Sequence, residues 1–231
     1  MQEIHISIPS IDRRGSEAYK TLRANLQFCG RAIKSIAITS CTPEEGKSTT
    51  SLNLAKALAD SGKRVLFIDA DLRKSVMMAR CRVKQNVRGL SHYLSGQAAF
   101  GDVVCTTNIP NMHIIFAGKV PPNPAELLGG KNFALAMSKL KEIYDYIIVD
   151  TPPLGSVIDA AVIANECDGS VLVLSANTIS RRFARKVADQ LKMAKCPVLG
   201  VILNKVDMKN STYGKYYGKY YGHEMDKYLQ D

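Results

Sequence analysis

The chain has 231 residues, with 31 Lys and Arg against 21 Asp and Glu, a formal net charge of +10, and 46% hydrophobic and 23% charged residues. That balance is ordinary for a folded globular chain, and the length suits one large domain or two small ones, which excludes a disordered protein. No window approaches the roughly 18–20 uncharged apolar residues of a spanning helix, and Met1–Ser10 lacks the apolar run of a signal peptide, so neither a membrane protein nor a secreted one is expected. Cys29, Cys41, Cys81, Cys105, Cys167 and Cys196 stand singly, with no CxxC pair and no histidine at metal-ligand spacing; reduced, packed thiols are predicted, and no zinc site.

Residues 1–15 read as an irregular arm. From Ser16, a plausible N-cap, Ala18, Leu22, Leu26 and Phe28 fall at helical spacing over 16–30. A β-branched run, Ser35–Thr39, is followed by a turn-forming stretch and a helix over Lys47–Asp60, closed by Ser61-Gly62. Arg64–Asp69 is apolar throughout its centre, as expected of a parallel strand covered on both faces. Residues 72–125 hold a short helix at Leu90–Leu94, a strand at His113–Phe116 and the Pro-rich loop Val120–Pro124. A helix over Lys131–Glu142 then leads to strands at Tyr146–Val149, Ser170–Leu174 and Val198–Leu203, with helices around Asp159–Asn165 and Arg181–Met193 between them. Strands alternating with helices predict a doubly wound, mainly parallel α/β sheet flanked by helices. In such a fold the ligand crevice lies at the carboxyl ends of the strands.

Chemistry-bearing residues stand at those ends. After the first long strand comes Cys41-Thr42-Pro43-Glu44-Glu45-Gly46-Lys47-Ser48-Thr49-Thr50. Gly-Lys-Ser opening a helix suits a phosphate-binding loop: free amides face an anion, glycine permits close approach, Lys47 supplies charge and Ser48 a ligand for magnesium. Cys41 stands where the strict pattern has its first glycine. The next strand ends in Asp69-Ala70-Asp71-Leu72-Arg73, two carboxylates spaced to point one way and in need of a cation. Asp150-Thr151-Pro152-Pro153 adds a third acid in a Walker B-like place. Together these residues form a nucleotide–magnesium site. Asn204-Lys205-Val206-Asp207 matches the element with which many GTPases read guanine, and adenine could equally meet Asn204, so the base stays open.

Two basic runs account for much of the net charge. Arg73, Lys74, Arg80, Arg82, Lys84 and Arg88 occur with no intervening acid; Arg181, Arg182, Arg185, Lys186, Lys192 and Lys195 face Asp189 alone. Each suits either a solvated face or an acidic partner. Neither interleaves the aromatics that stack on bases, so no nucleic-acid partner is expected.

At this point the sequence resembles the bacterial tyrosine kinases that accompany capsule and exopolysaccharide export, in their split, Gram-positive form. The resemblance spans nearly all of residues 15–222. It is carried by the loop from Cys41 to Thr50, by Val65–Arg73 as the Walker A′ element, by Asp145–Pro153 as Walker B, and by the stretches Gly89–Gly96 and Pro121–Leu128. It implies a P-loop fold related to the MinD/ParA ATPases and a kinase domain over 16–207. The implied cofactors are ATP and Mg2+. Nucleotide would be held by Glu45, Gly46, Lys47, Ser48, Thr49, Thr50 and Asn204, with Ser48, Asp71 and Asp150 at the metal. Lys47, Asp69, Asp71 and Asp150 would be catalytic, with Asp69 taking the tyrosine proton.

The resemblance also assigns the tail, 208–231. Tyr213, Tyr216, Tyr217, Tyr220 and Tyr221 stand in a Gly- and Lys-rich near-repeat, with Tyr228 beyond it. They are expected phosphoacceptors, modified in trans by a neighbouring subunit. Glu17, Lys20 and Arg23 match a ring-forming Glu-x-x-Arg-x-x-Arg motif except that Lys20 replaces the first arginine, which keeps the charge and loses the bidentate fork. The implied partners are a ring of identical subunits, tyrosine-containing protein substrates and a membrane-bound activator, the polysaccharide co-polymerase subunit. That activator would hold a cytoplasmic kinase at the inner face of the membrane. The rival reading is a MinD/ParA-like ATPase switch without kinase activity; Thr42 stands where that class carries a lysine reaching across a dimer, and the tyrosine tail would have no purpose there. A GTPase leaves the Asp69/Asp71 pair unexplained. A eukaryotic-type kinase is excluded by the missing Gly-rich loop and His-Arg-Asp element.

Overall fold

The computed structural model describes residues 1–207, so the tyrosine-rich tail lies outside the described residues. Eight strands form one sheet: β1 (Gln2–Ile4), β2 (Ser35–Ser40), β3 (Val65–Asp69), β4 (Cys105–Thr107), β5 (Met112–Ile115), β6 (Tyr146–Asp150), β7 (Gly169–Ser175) and β8 (Val198–Asn204), in the spatial order β1-β4-β5-β3-β6-β2-β7-β8. All neighbours run parallel except β4 and β5. The helices are α1 (Arg13–Phe28), α2 (Lys47–Ala59), α3 (Met77–Arg80), α4 (Leu90–Leu94), α5 (Phe100–Val103), α6 (Pro124–Leu128), α7 (Lys131–Ile143), α8 (Asp159–Ala164) and α9 (Arg181–Met193).

Every residue of β2 and β3 is buried, because apolar layers cover both faces of the sheet. On one face Leu52, Leu54 and Leu58 of α2 pack with Leu26 of α1 against Ile36, Ile38 and Phe67. On the other, Phe133, Met137 and Leu140 of α7, Ile163 of α8 and Val187 and Leu191 of α9 meet Leu66, Ile147 and Leu172. α2 is covered in turn by α1, and Asn53 is buried along with the leucines, while Ser51 is buried toward Asp150 of β6.

The structure differs from the sequence reading in three places. The N-terminal arm is not wholly irregular: β1 adds to the sheet edge in parallel register with β4, Gln2 opposite Cys105, and Ile4 and Ile6 are buried. A three-residue strand paired about a hundred positions away leaves no local periodicity. Helix α1 starts before Ser16, because Asp12 is its cap and accepts from the Gly15 N–H at 2.7 Å. Within 72–125, α3, α5 and β4 are three or four residues long, too short for an apolar period to register.

One carboxylate ties the amino ends of the central strands together. Asp168, just before β7, accepts from the Lys34 and Ser35 amides at 3.0 and 2.9 Å and from the Ser35 hydroxyl at 3.0 Å, while its other oxygen accepts from Lys141 Nζ of α7 at 2.8 Å. Burial pushes its pKa up, but the Lys141 ammonium and the two amides prevail and hold it below the usual carboxylate range. Its folded pKa being depressed, the stabilisation is complete above the unfolded value near about 3.9 and is lost as pH falls through the lower native value. Asp168→Ala is expected to cost about 2 kcal/mol in urea unfolding at pH 7, with the gap to wild type narrowing at pH 3.

Candidate active site

The strand order decides the site. Because β6 lies between β3 and β2, the acids ending β3 and β6 stand beside the loop that leaves β2. Asp69 and Asp150 are register partners across β3 and β6, and a narrow cleft is lined by Lys47, Ser48, Asp69, Asp71, Lys74, Ser75, Val76, Met77 and Asp150.

The loop itself is braced from behind. Gly46, at φ 93°, turns the chain into α2, and a Cβ there would fall 2.0 Å from Asn204 Nδ2; only glycine meets both conditions. The first helical bond runs from the Thr50 N–H to the Gly46 carbonyl at 2.9 Å, so the amides of Lys47, Ser48 and Thr49 have no helical partner. The Glu45 side chain is buried and turned inward. Oε1 accepts from the Thr42 amide and hydroxyl at 2.6 and 3.0 Å, and Oε2 from the Ser175 amide of β7 at 2.9 Å. Asn204 Nδ2 donates to the Glu45 carbonyl at 2.9 Å and Lys205 Nζ to the Glu44 carbonyl at 2.7 Å. The Glu45 carboxylate thus scaffolds the loop, and the Asn-Lys pair holds the loop from the end of β8. Cys41 is completely buried in the core, packing its side chain where the strict pattern has glycine.

Lys47 Nζ lies 3.9 Å from Asp71 Oδ2 and 3.8 Å from Asp150 Oδ2, and donates to Ser48 Oγ at 2.9 Å. Asp150 also accepts from Ser51 Oγ at 3.1 Å. Burial raises the Asp150 pKa against the pull of Lys47, Ser48 and Ser51. Burial first, and then the Asp150 charge, push Asp69 up to about 7; the Ser75 hydroxyl, which donates to Asp69 Oδ2, and the Ala117 amide at 3.4 Å oppose it. Asp71 Oδ1 accepts from the Arg73 and Lys74 amides at 3.2 and 3.0 Å. Three buried carboxylates thus share the cleft with Lys47 and Lys74, Lys47 lying between Asp71 and Asp150. This excess of negative charge fits a divalent cation. Mg2+ is an ion that keeps water and takes phosphate oxygens with few protein ligands.

Other expected residues engage protein partners. Thr50 is buried and closes the first turn of α2, its N–H donating to the Gly46 carbonyl at 2.9 Å. Thr49 Oγ1 accepts from Arg80 Nη1. Lys20 Nζ reaches Glu17 of its own helix at 2.7 Å, and Arg23 Nη1 donates to the Ala57 carbonyl of α2 at 3.1 Å. Arg73 of the first basic run forms a two-bond pair with fully buried Asp159, at 2.7 and 2.9 Å, while Arg181, Arg182, Arg185, Lys186 and Lys192 lie exposed on α9. The sequence reading missed Ser51, Ser75, Arg80 and Asp159. Ser51 carried a signal, three residues after Ser48 on one helix face; the others reach the site only through tertiary folding.

An AAA-domain family model matches residues 33–193. The tyrosine-protein kinase CpsD of Streptococcus agalactiae is 46% identical over 204 residues, covering 88% of this chain and 89% of that protein. The kinase domain of the Escherichia coli tyrosine kinase ETK superposes with a TM-score of 0.81 at 35% identity, over 85% of this chain and 78% of that one. The septum site-determining protein MinD of Pyrococcus horikoshii, solved with Mg-ADP, matches at a TM-score of 0.66 and 28% identity, over 75% and 71% of the two chains.

No helix is long and apolar enough to cross a membrane among the described residues. Replacing Glu45 by Ala leaves the Thr42 and Ser175 amides unpaired; chemical denaturation is expected to register a loss of about 3 kcal/mol.

Proposed function

The chain belongs to the bacterial tyrosine-protein kinase family, and on that premise we propose that it transfers the γ-phosphoryl group of ATP to tyrosine hydroxyls in the service of capsule or exopolysaccharide assembly. The observation that carries this reading is the single cleft that gathers Lys47, Ser48, Asp69, Asp71 and Asp150. Open amides of the first turn of α2 hold the phosphates, with Gly46 admitting them to the backbone. Lys47 follows the charge that develops on the transferred group. Asp69 accepts the phenol proton: a tyrosine hydroxyl has an ordinary pKa near about 10, and a buried carboxylate pushed up to about 7 is a better base than a solvated one. Ser48, Asp71 and Asp150 would hold Mg2+, which when bound supplies a Lewis acid for the phosphate oxygens.

The phosphoacceptors in this reading are Tyr213, Tyr216, Tyr217, Tyr220 and Tyr221, then Tyr228, presented in trans to a neighbouring subunit. Glu17, Lys20 and Arg23 on α1 contribute to a ring, with Lys20 and Glu17 exposed on its surface. A membrane-bound activator, the polysaccharide co-polymerase subunit, places this cytoplasmic kinase at the inner face of the membrane, and other tyrosine-containing proteins are further substrates. Two observations favour kinase over ATPase switch. Thr42 donates to Glu45 within its own loop and has neither the length nor the charge to cross to a partner, and the switch gives the tyrosine cluster no task. Asn204 and Lys205, committed to the loop carbonyls, have a structural reason to be there without guanine.

Incubation with Mg2+ and labelled ATP or GTP, followed by mass spectrometry, is expected to place label from ATP on the tail tyrosines. Lys47→Met should reduce it at least about a hundredfold; release of free phosphate from unmodified protein would favour the switch. Each phosphate adds about −1.5 to −2 charges, so extensive modification is expected to loosen the ring. Light scattering before and after ATP treatment checks this, and an unchanged oligomer size would refute it.

A further inference from the structure

Arg80 has no part in the chemistry above, yet its guanidinium stands against the phosphate loop. It ends α3, the short helix that follows the acidic element, and its Nη1 donates to the side chain of Thr49, the third residue of α2. Its Nε is buried with no hydrogen-bond partner among the described residues. Among the described residues no carboxylate forms an ion pair with it. Arg73, from the same basic run, shows the contrast, since its Nε and Nη2 both donate to Asp159. A buried donor left open on a permanently charged group is costly unless an acceptor arrives, and an anion is the acceptor that a guanidinium holds best.

The place of the group says which anion. Thr49 carries the last of the three open amides at the start of α2, and the next N–H is already bonded to Gly46. The Lys47 ammonium lies between Asp71 and Asp150, and among the described residues Arg80 makes no hydrogen bond or ion pair with any of those three groups. Lys47 therefore serves the end of the polyphosphate where transfer occurs, and Arg80 the part that stays behind.

We propose that Arg80 is a ligand for the non-transferred phosphates of the bound nucleotide, its guanidinium binding the diphosphate common to ATP and ADP. This rests on the nucleotide reading of the loop and adds to it a residue outside every phosphate-loop motif. Such a contact is the same before and after transfer, so it contributes uniform binding: it lowers the KM for ATP and leaves kcat nearly unchanged.

The test uses the full chain with Mg2+ and a fluorescent N-methylanthraniloyl-ADP, for wild type, Arg80→Met and Arg80→Lys. The expected result is about tenfold weaker ADP binding for Arg80→Met, with partial recovery in Arg80→Lys, and a rise in KM for ATP at similar kcat. Thermal unfolding without nucleotide should match or exceed wild type, since an orphaned buried donor is removed, while the rise in melting temperature on adding ADP should shrink. ADP affinity within twofold of wild type in Arg80→Met overturns the assignment, as does a fall in kcat at constant KM. A loss of unliganded stability equal to the loss of binding would show a structural role and overturn it as well. Wild-type protein that fails to bind the probe would fell the nucleotide reading itself, and the role of Arg80 with it.

Discussion

Holding Asp69, Asp71 and Asp150 in one cleft with only Lys47 and Lys74 beside them costs electrostatic free energy that the surrounding fold has to offset. Burial first, and the neighbouring carboxylates after it, raise the proton affinity of Asp69 and Asp150. Hydroxyls and amides reduce it locally: Ser51 at Asp150, Ser75 and the Ala117 amide at Asp69, and the Arg73 and Lys74 amides at Asp71. The larger share comes from the sheet. β3, β6 and β2 are buried throughout their inner positions, and their apolar contacts fix the acids at strand ends where none can swing away.

A second network holds the loop opposite those acids. Glu45 bridges Thr42 and the β7 end at Ser175, and Asn204 and Lys205 bring in β8 through two loop carbonyls. The phosphate loop is thus clamped by two strands, β7 and β8, that lie far from it in the chain, and its open amides point where the backbone sets them before any ligand arrives. Preorganised donors of this kind lose little on binding, which is what makes them effective against phosphate charge. Arg73, paired with the buried Asp159 at the start of α8, does the same for the acidic element, tying its loop to the layer of helices on the far side of the sheet.

The residue pattern alone determined the alternation of strands and helices, the Gly-Lys-Ser loop at the head of a helix and the acids at two strand ends. Each of these is local: fully apolar runs, a 3.6-residue period and a turn chemistry that few residues satisfy. Tertiary structure decided the rest. Strand order, which sets β6 between β3 and β2, is what turns three separate acids into one site, and no local signal encodes a neighbour eighty residues away. The pairing of β1 with β4, the inward turn of Glu45 and the Thr49–Arg80 contact belong with it, because each joins residues whose proximity follows only from how the whole sheet packs. Identity fixes what a side chain can donate or accept; the fold chooses which partner is within about 3 Å.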